Sequence, residues 1–258
     1  MRYASTFLML CTALATAAPD MNITMREGGI VRGDIAVMAM DFETGVADDV
    51  TLTGNDGTVT AGIAFTDATA TRDGFIELTR ADSDKVTVVN SATVQDLHGG
   101  DFAISMWVNW TPPAGLSDQY HMLGTKYVSA AGFWFAMREF AHDYWLRGIV
   151  YYDGVDASSE INLTNAPAAT NGWVHIVTAI LSSNICYFID GVEITNTIID
   201  VTGSGAASTD AATPLLIGER SDGHYFDGSI DDVVIHRGTI TATDALNIYL
   251  QGMPRHRH

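Results

Sequence analysis

Beyond Ile35 no stretch of the chain sustains a 3.6-residue apolar period long enough for a large helix. Short runs rich in Val, Ile, Thr, Phe, Tyr and Trp alternate instead with clusters of Gly, Asp, Asn, Ser and Thr, the pattern of strands joined by turns. The clearest strand segments are 102–110, 132–138, 144–152, 173–181, 185–189, 192–197, 214–218 and 228–236. Asp190-Gly191 separates two of them, and a two-residue Asp-Gly loop predicts a type I′ hairpin because both central residues take positive φ. A single short helix is expected over 245–250, opened by the capping box Thr241-Ala-Thr-Asp244. The expected fold is therefore all-β.

Composition agrees and narrows the partners. The chain has 258 residues, 47% hydrophobic and 17% charged, enough to bury the core of one large sandwich without disulfides. Acidic residues outnumber basic ones 31 to 13, giving a net charge of −18. That field repels phosphate backbones, so nucleic acid is not an expected partner. The excess is mostly aspartate, 24 against 7 Glu, and only Lys85 and Lys126 are lysines. Asp favours turns and caps, whereas Glu and Lys favour helix interiors.

The first residues have their own signature. Arg2 precedes the apolar run Phe7 to Leu14 and an Ala15-Thr16-Ala17 site, which reads as a secretory signal peptide. The run is too short to span a bilayer, which takes about 20 residues, so no transmembrane segment is expected. The predicted organisation is 1–18 as a signal peptide or apolar assembly arm, 19–36 as a linker or arm, 37–250 as one domain, and 251–258 as a basic tail. That tail, with Arg255-His256-Arg257-His258, is expected to fray. Cys11 and Cys186 are the only cysteines, so at most one bridge is possible, and neither Cys-x-x-Cys nor His-Glu-x-x-His occurs.

Several segments in order carry a family likeness: Met40-Asp-Phe-Glu-Thr-Gly45, Thr53-Gly-Asn-Asp-Gly57, Gly100-Asp-Phe-Ala-Ile-Ser-Met-Trp-Val108 and Gly132-Phe-Trp-Phe135. Asn171-Gly-Trp-Val-His-Ile-Val177, Tyr187-Phe-Ile-Asp-Gly-Val192, Leu216-Ile-Gly218 and Phe226-Asp-Gly-Ser-Ile-Asp-Asp-Val-Val-Ile-His-Arg237 follow. Together they resemble the laminin G-like branch of the concanavalin A-like lectin/glucanase superfamily. The resemblance implies a two-sheet antiparallel jelly-roll β-sandwich, with one sheet curved into a concave face. It also implies calcium as a structural cofactor where the first loop meets the last long strand, with Asp49, Asn55, Asp231 and Asp232 as candidate ligands. Calcium takes six to eight oxygens of this kind.

Glycosidases of the superfamily carry Glu-x-Asp-x-(x)-Glu on one strand. Here no Glu has Asp two residues later, so the chain is expected not to be an enzyme. The aromatic strands carry the ligand question. If 132–138 and 144–152 form a hairpin, the alternate residues Trp134, Arg138, Trp145 and Arg147 share one face. Such a face could stack sugar rings and donate to their hydroxyls, or could simply cover the sandwich by cation–π contact. The expected function is a non-catalytic, secreted or cell-surface recognition module for a glycan or cell-surface polysaccharide. The alternative is a virion surface protein, a head decoration or fibre component, joining other copies or a capsid or fibre partner through residues 1–36.

Overall fold

The computed structural model describes residues 36–256 except 43–44, 52, 67–73, 111–118, 130, 141–142, 153–155, 164–171, 182–183, 196 and 202–204, and also the backbone of a hairpin at 23–26 and 29–32. The signal-peptide or arm reading of 1–18 lies outside the described residues. In chain order the strands are β1 (Ile23–Arg26), β2 (Gly29–Arg32), β3 (Ala36–Met40), β4 (Gly57–Val59), β5 (Ala64–Thr66), β6 (Phe75–Leu78) and β7 (Val86–Val88). Next come β8 (Phe102–Trp110), β9 (Gln119–Val128), β10 (Ala131–Phe140), β11 (Asp143–Tyr151), β12 (Ala157–Asn162), β13 (Val174–Leu181) and β14 (Asn184–Ile189). The last are β15 (Val192–Ile194), β16 (Thr197–Val201), β17 (Leu215–Ile217), β18 (Glu219–Arg220), β19 (His224–Tyr225) and β20 (Gly228–Arg237), followed by helix α1 (Ala242–His256).

Two antiparallel eight-stranded sheets stack face to face, as a jelly roll. The first runs β16-β12-β11-β10-β9-β17-β7-β4 and the second β15-β14-β13-β8-β20-β6-β5, with β3 also paired to β20. The two-residue period of a strand explains the layering. On β8, Phe102, Ile104, Met106, Val108 and Trp110 join the core between the sheets. On β10, Phe133, Phe135 and Met137 meet them from the other side. Each such side chain removed from water contributes about 1.5–3 kcal/mol. Asp190 and Gly191 both have positive φ (51° and 75°) between the paired residues Ile189 and Val192, the hairpin expected from sequence.

A buried polar group lies at one end of this core. Lys126, fully buried on β9, donates from Nζ to Asp210 Oδ1 at 2.6 Å and to the Asp210 carbonyl at 2.8 Å. The Asp96 amide donates to the same carboxylate oxygen, and His98 Nδ1 lies 3.5 Å from Asp210 Oδ2. Burial raises the Asp210 pKa, but His98, the Asp96 amide and Lys126 together hold it below the usual carboxylate range.

Three boundaries differ from those expected. The 19–36 segment contains the β1–β2 hairpin. The 192–197 strand is two pieces, β15 in the second sheet and β16 in the first. The helix continues past residue 250 to His256, so the expected frayed tail is structured as far as that residue. The reason is packing on the outer face of the second sheet. Gly252 lies against Trp107, where an added Cβ would sit 2.3 Å from the indole nitrogen. The His256 ring then stacks on Trp107 at 4.5 Å and lies 5.0 Å from Trp173.

Candidate ligand-binding face

The outer face of the first sheet gathers aromatic and arginine side chains. β10 and β11 pair as a hairpin with Trp134 opposite Ile149, Ala136 opposite Arg147 and Arg138 opposite Trp145. Trp134, Arg138, Trp145 and Arg147 therefore project from one side of the sheet, as their spacing predicts. Strand β9 adds residues that spacing alone does not reveal. Tyr120 and Tyr127 are seven apart, an odd interval that would place them on opposite faces of a regular strand. A bulge resets the count, because Phe135 pairs with Gly124 whereas Ala136 pairs with Met122, leaving Leu123 extra. Both tyrosines consequently pack with Trp134, Met122, Ile149 and Tyr151 on the outer side. Arg220 on β18 and His224 on β19 reach the same patch.

Trp134 forms the floor of this patch. It is only 3% exposed, and its Nε1 donates to Tyr151 Oη at 3.2 Å. The Tyr120 ring meets it edge-on at 5.3 Å, and the Arg220 and Arg147 guanidinium carbons lie 4.9 and 5.8 Å from its centroid. The surfaces left for a ligand belong to the half-buried residues around it: Tyr120, Tyr127, Trp145, Tyr151 and the arginines. Arg138 donates to Glu160 Oε1 at 3.1 Å, and Arg220 holds Asp222 in a two-point contact at 2.7 and 2.8 Å. Arg220 also lowers the Asp222 pKa, by hydrogen bonding first and charge second. Arg147 donates from Nη1 to Tyr120 Oη at 2.7 Å. Arg80, at the foot of β9, donates to Gln119 Oε1 and to the Tyr120 carbonyl.

The four expected calcium ligands lie in two settings. Asp49 Oδ1 accepts from the amides of Ala39 and Thr51 and from Thr51 Oγ1; Oδ2 accepts from Thr53 Oγ1 and the Asn55 amide. Burial raises its pKa, but the Thr53 and Thr51 hydroxyls and these amides outweigh that and lower it. Asn55 spends its side-chain amide on the Val37 carbonyl and on Thr53 and Thr93, while its oxygen accepts from Ser91. Among the described residues every contact to the Asp49 carboxylate comes from an N–H or O–H donor, so this environment does not fit a cation. Asp231 and Asp232 converge instead on His256, with His256 Nε2 at 3.6 and 3.2 Å from their carboxylates. Asp232 occupies a second bulge, on β20, with φ of 48°. His256 belongs to the tail that the sequence predicts to fray, and the helix instead carries it to this pair.

Residues 80–245 match the Laminin_G_3 family, described as the concanavalin A-like lectin/glucanases superfamily. The chain belongs to that superfamily. Its lectin-like jelly roll is similar to solved binding domains. The binding domain of Paraclostridial Mosquitocidal Protein 1 shares 15% identity with a TM-score of 0.64, over 84% of this chain and 52% of that one. The binding domain of botulinum neurotoxin DC, in complex with rat synaptotagmin II, shares 13% identity with a TM-score of 0.64 and the same two coverages. Domain 4 of the GH43 extracellular arabinanase from Geobacillus stearothermophilus, in complex with arabinotriose, shares 17% identity with a TM-score of 0.56, over 83% of this chain and 98% of that one. The laminin G-like chain thus spans about half the length of the toxin binding domains and nearly the whole of the arabinanase domain. At these identities the likeness shows the fold. No curated protein matches the chain. Among the described residues no helix is long and apolar enough to cross a membrane.

Proposed function

We propose that this domain is a non-catalytic recognition module that binds a glycan on the outer face of its first sheet. One observation carries the reading: Tyr120, Tyr127, Tyr151, Trp145 and three arginines converge around Trp134 on a single face. Aromatic rings offer apolar surface to the C–H face of a sugar, and guanidinium groups donate to its hydroxyls. Two similar structures were solved with sugar ligands, the arabinanase domain with arabinotriose and a botulinum neurotoxin DC binding domain with SialylT, which supports the class of ligand. An extracellular location fits the N-terminal signal pattern.

A glycan array on the intact chain, followed by calorimetry on any hit, tests the reading. Truncating a ring that stacks in a desolvated contact costs more than about 1 kcal/mol of binding, roughly a fivefold loss. Trp145→Ala should therefore weaken binding at least that much while leaving melting nearly unchanged. A glycan bound equally well by wild type and Trp145→Ala would place the ligand away from this face.

A further inference from the structure

Four of the chain's eleven arginines, Arg80, Arg138, Arg147 and Arg220, gather around Tyr120 in a protein whose net charge is −18. Three of them face acidic side chains. Arg138 pairs with Glu160, Arg220 with Asp222, and Arg80 feels the nearby charge of Asp227. Glu160, opposite Arg147 on β12, is paired with Arg138, and among the described residues Arg147 makes no ion pair. Its single hydrogen bond runs from Nη1 to Tyr120 Oη, and its other contacts are the rings of Tyr120 and Trp134. Its Nε is buried without an acceptor among the described residues. In so acidic a chain, an arginine half-withdrawn from water and without an ion pair among the described residues is an unusual arrangement. Withdrawing a charge from water is unfavourable unless something pairs with it.

We infer that the ligand carries a carboxylate, as a uronic- or sialic-type sugar does, and that Arg147 receives it. This rests on the glycan reading above and names the chemistry of that same face. Tyr120 Oη fixes one side of the planar guanidinium, which pre-orients the remaining donors toward the aromatic surface where a sugar ring would lie. Asp143 shares the face of Trp145 and Arg147, and Asp156 acts on Tyr151, so the patch carries little net positive charge and suits a single carboxylate better than a sulfated polymer. The field of the whole chain, with a pI near 4.5, opposes a dense polyanion.

The test compares three forms of one ligand on the intact protein: a galacturonic-acid trisaccharide, its methyl ester, and the neutral galactose trisaccharide. Sialyllactose against lactose forms a parallel arm that separates the two sources of carboxylate. In at least one arm the acid should bind about tenfold more tightly than its neutral counterparts. Arg147→Gln should erase that preference while neutral binding persists, and Arg147→Lys, which keeps the charge, should restore part of it. Equal binding of acid and neutral forms in both arms overturns the inference and leaves the glycan reading standing; this comparison needs no variant. Survival of the preference in Arg147→Gln, or tighter binding of heparin than of either acidic sugar, also overturns it. If no sugar of any kind binds, on these panels or the array, the glycan reading fails first and takes the carboxylate with it.

Discussion

Asp49 does with hydrogen bonds what its neighbourhood suggested a metal would do. Its two oxygens tie the amide of Ala39 on β3 to Thr51, Thr53 and Asn55 in the following loop, so one side chain fixes a strand to its return segment. Removing it leaves two buried donors, the amides of Ala39 and Asn55, without an acceptor, and each such group costs about 1–3 kcal/mol. Asp49→Ala is therefore expected to lower stability by at least about 2 kcal/mol. The loss should be the same in excess calcium and in chelator, read from urea unfolding under both conditions. A calcium-dependent difference that disappears in the variant would show that the carboxylate does coordinate an ion.

At the scale of the element, α1 shows where local sequence rules hold and where packing overrides them. Its start was legible: Thr241 Oγ1 accepts from the Asp244 amide while Asp244 Oδ2 accepts from the Thr241 amide, the reciprocal cap the sequence spells. Its end was not, because Gly252 and Pro254 are poor helix residues, and the groups that hold this turn, Trp107 against Gly252 and Asp231 and Asp232 against His256, come from strands elsewhere in the fold. Gly252→Ala would push a methyl into the Trp107 indole, and overpacking of this kind costs about 1–3 kcal/mol. Amide exchange in α1 should quicken while β10 and β11 keep their protection. Uniform loss of protection across the molecule would mean the helix is part of the sandwich's own folding unit. The face on the first sheet divides in the same way. Alternation on β10 and β11 disclosed Trp134, Arg138, Trp145 and Arg147, whereas Tyr120, Tyr127 and Arg220 needed the bulge and the β18–β19 hairpin to join them.

The whole molecule should be acid-sensitive, and the direction follows from two buried histidines. Burial, reinforced by Arg80, pushes His121 down to about 3; burial with His256 and His236 nearby pushes His175 to about 3 as well. An unfolded histidine titrates near 6.5, so between about 6.5 and 3 the unfolded chain binds protons that the fold excludes. Stability is thus fully present above pH about 6.5 and declines as pH falls, by about 1.4 kcal/mol per pH unit for each histidine. Melting temperature should drop steadily between about pH 7 and about pH 4.5, with a shallower slope in His121→Phe. A flat profile would show that both rings take up protons without unfolding. The eight-strand layering itself was largely readable, since β8, β10, β11, β13, β14 and β20 announce themselves by alternation. Short edge pieces such as β4, β5 and β16 did not, because three to five residues carry too little periodicity to stand out.

The extra residue in β9 has an evolutionary consequence. Which rings look outward depends on how many residues separate Tyr120 from Tyr127, and only secondarily on what those residues are. Deleting the Leu123 codon would turn Tyr120 toward the core and remove the anchor of Arg147 without a substitution anywhere in the face. Sandwiches of this architecture can therefore gain or lose such a surface by a single insertion or deletion. Comparison by residue identity would miss a change of that kind, whereas comparison by strand length would find it.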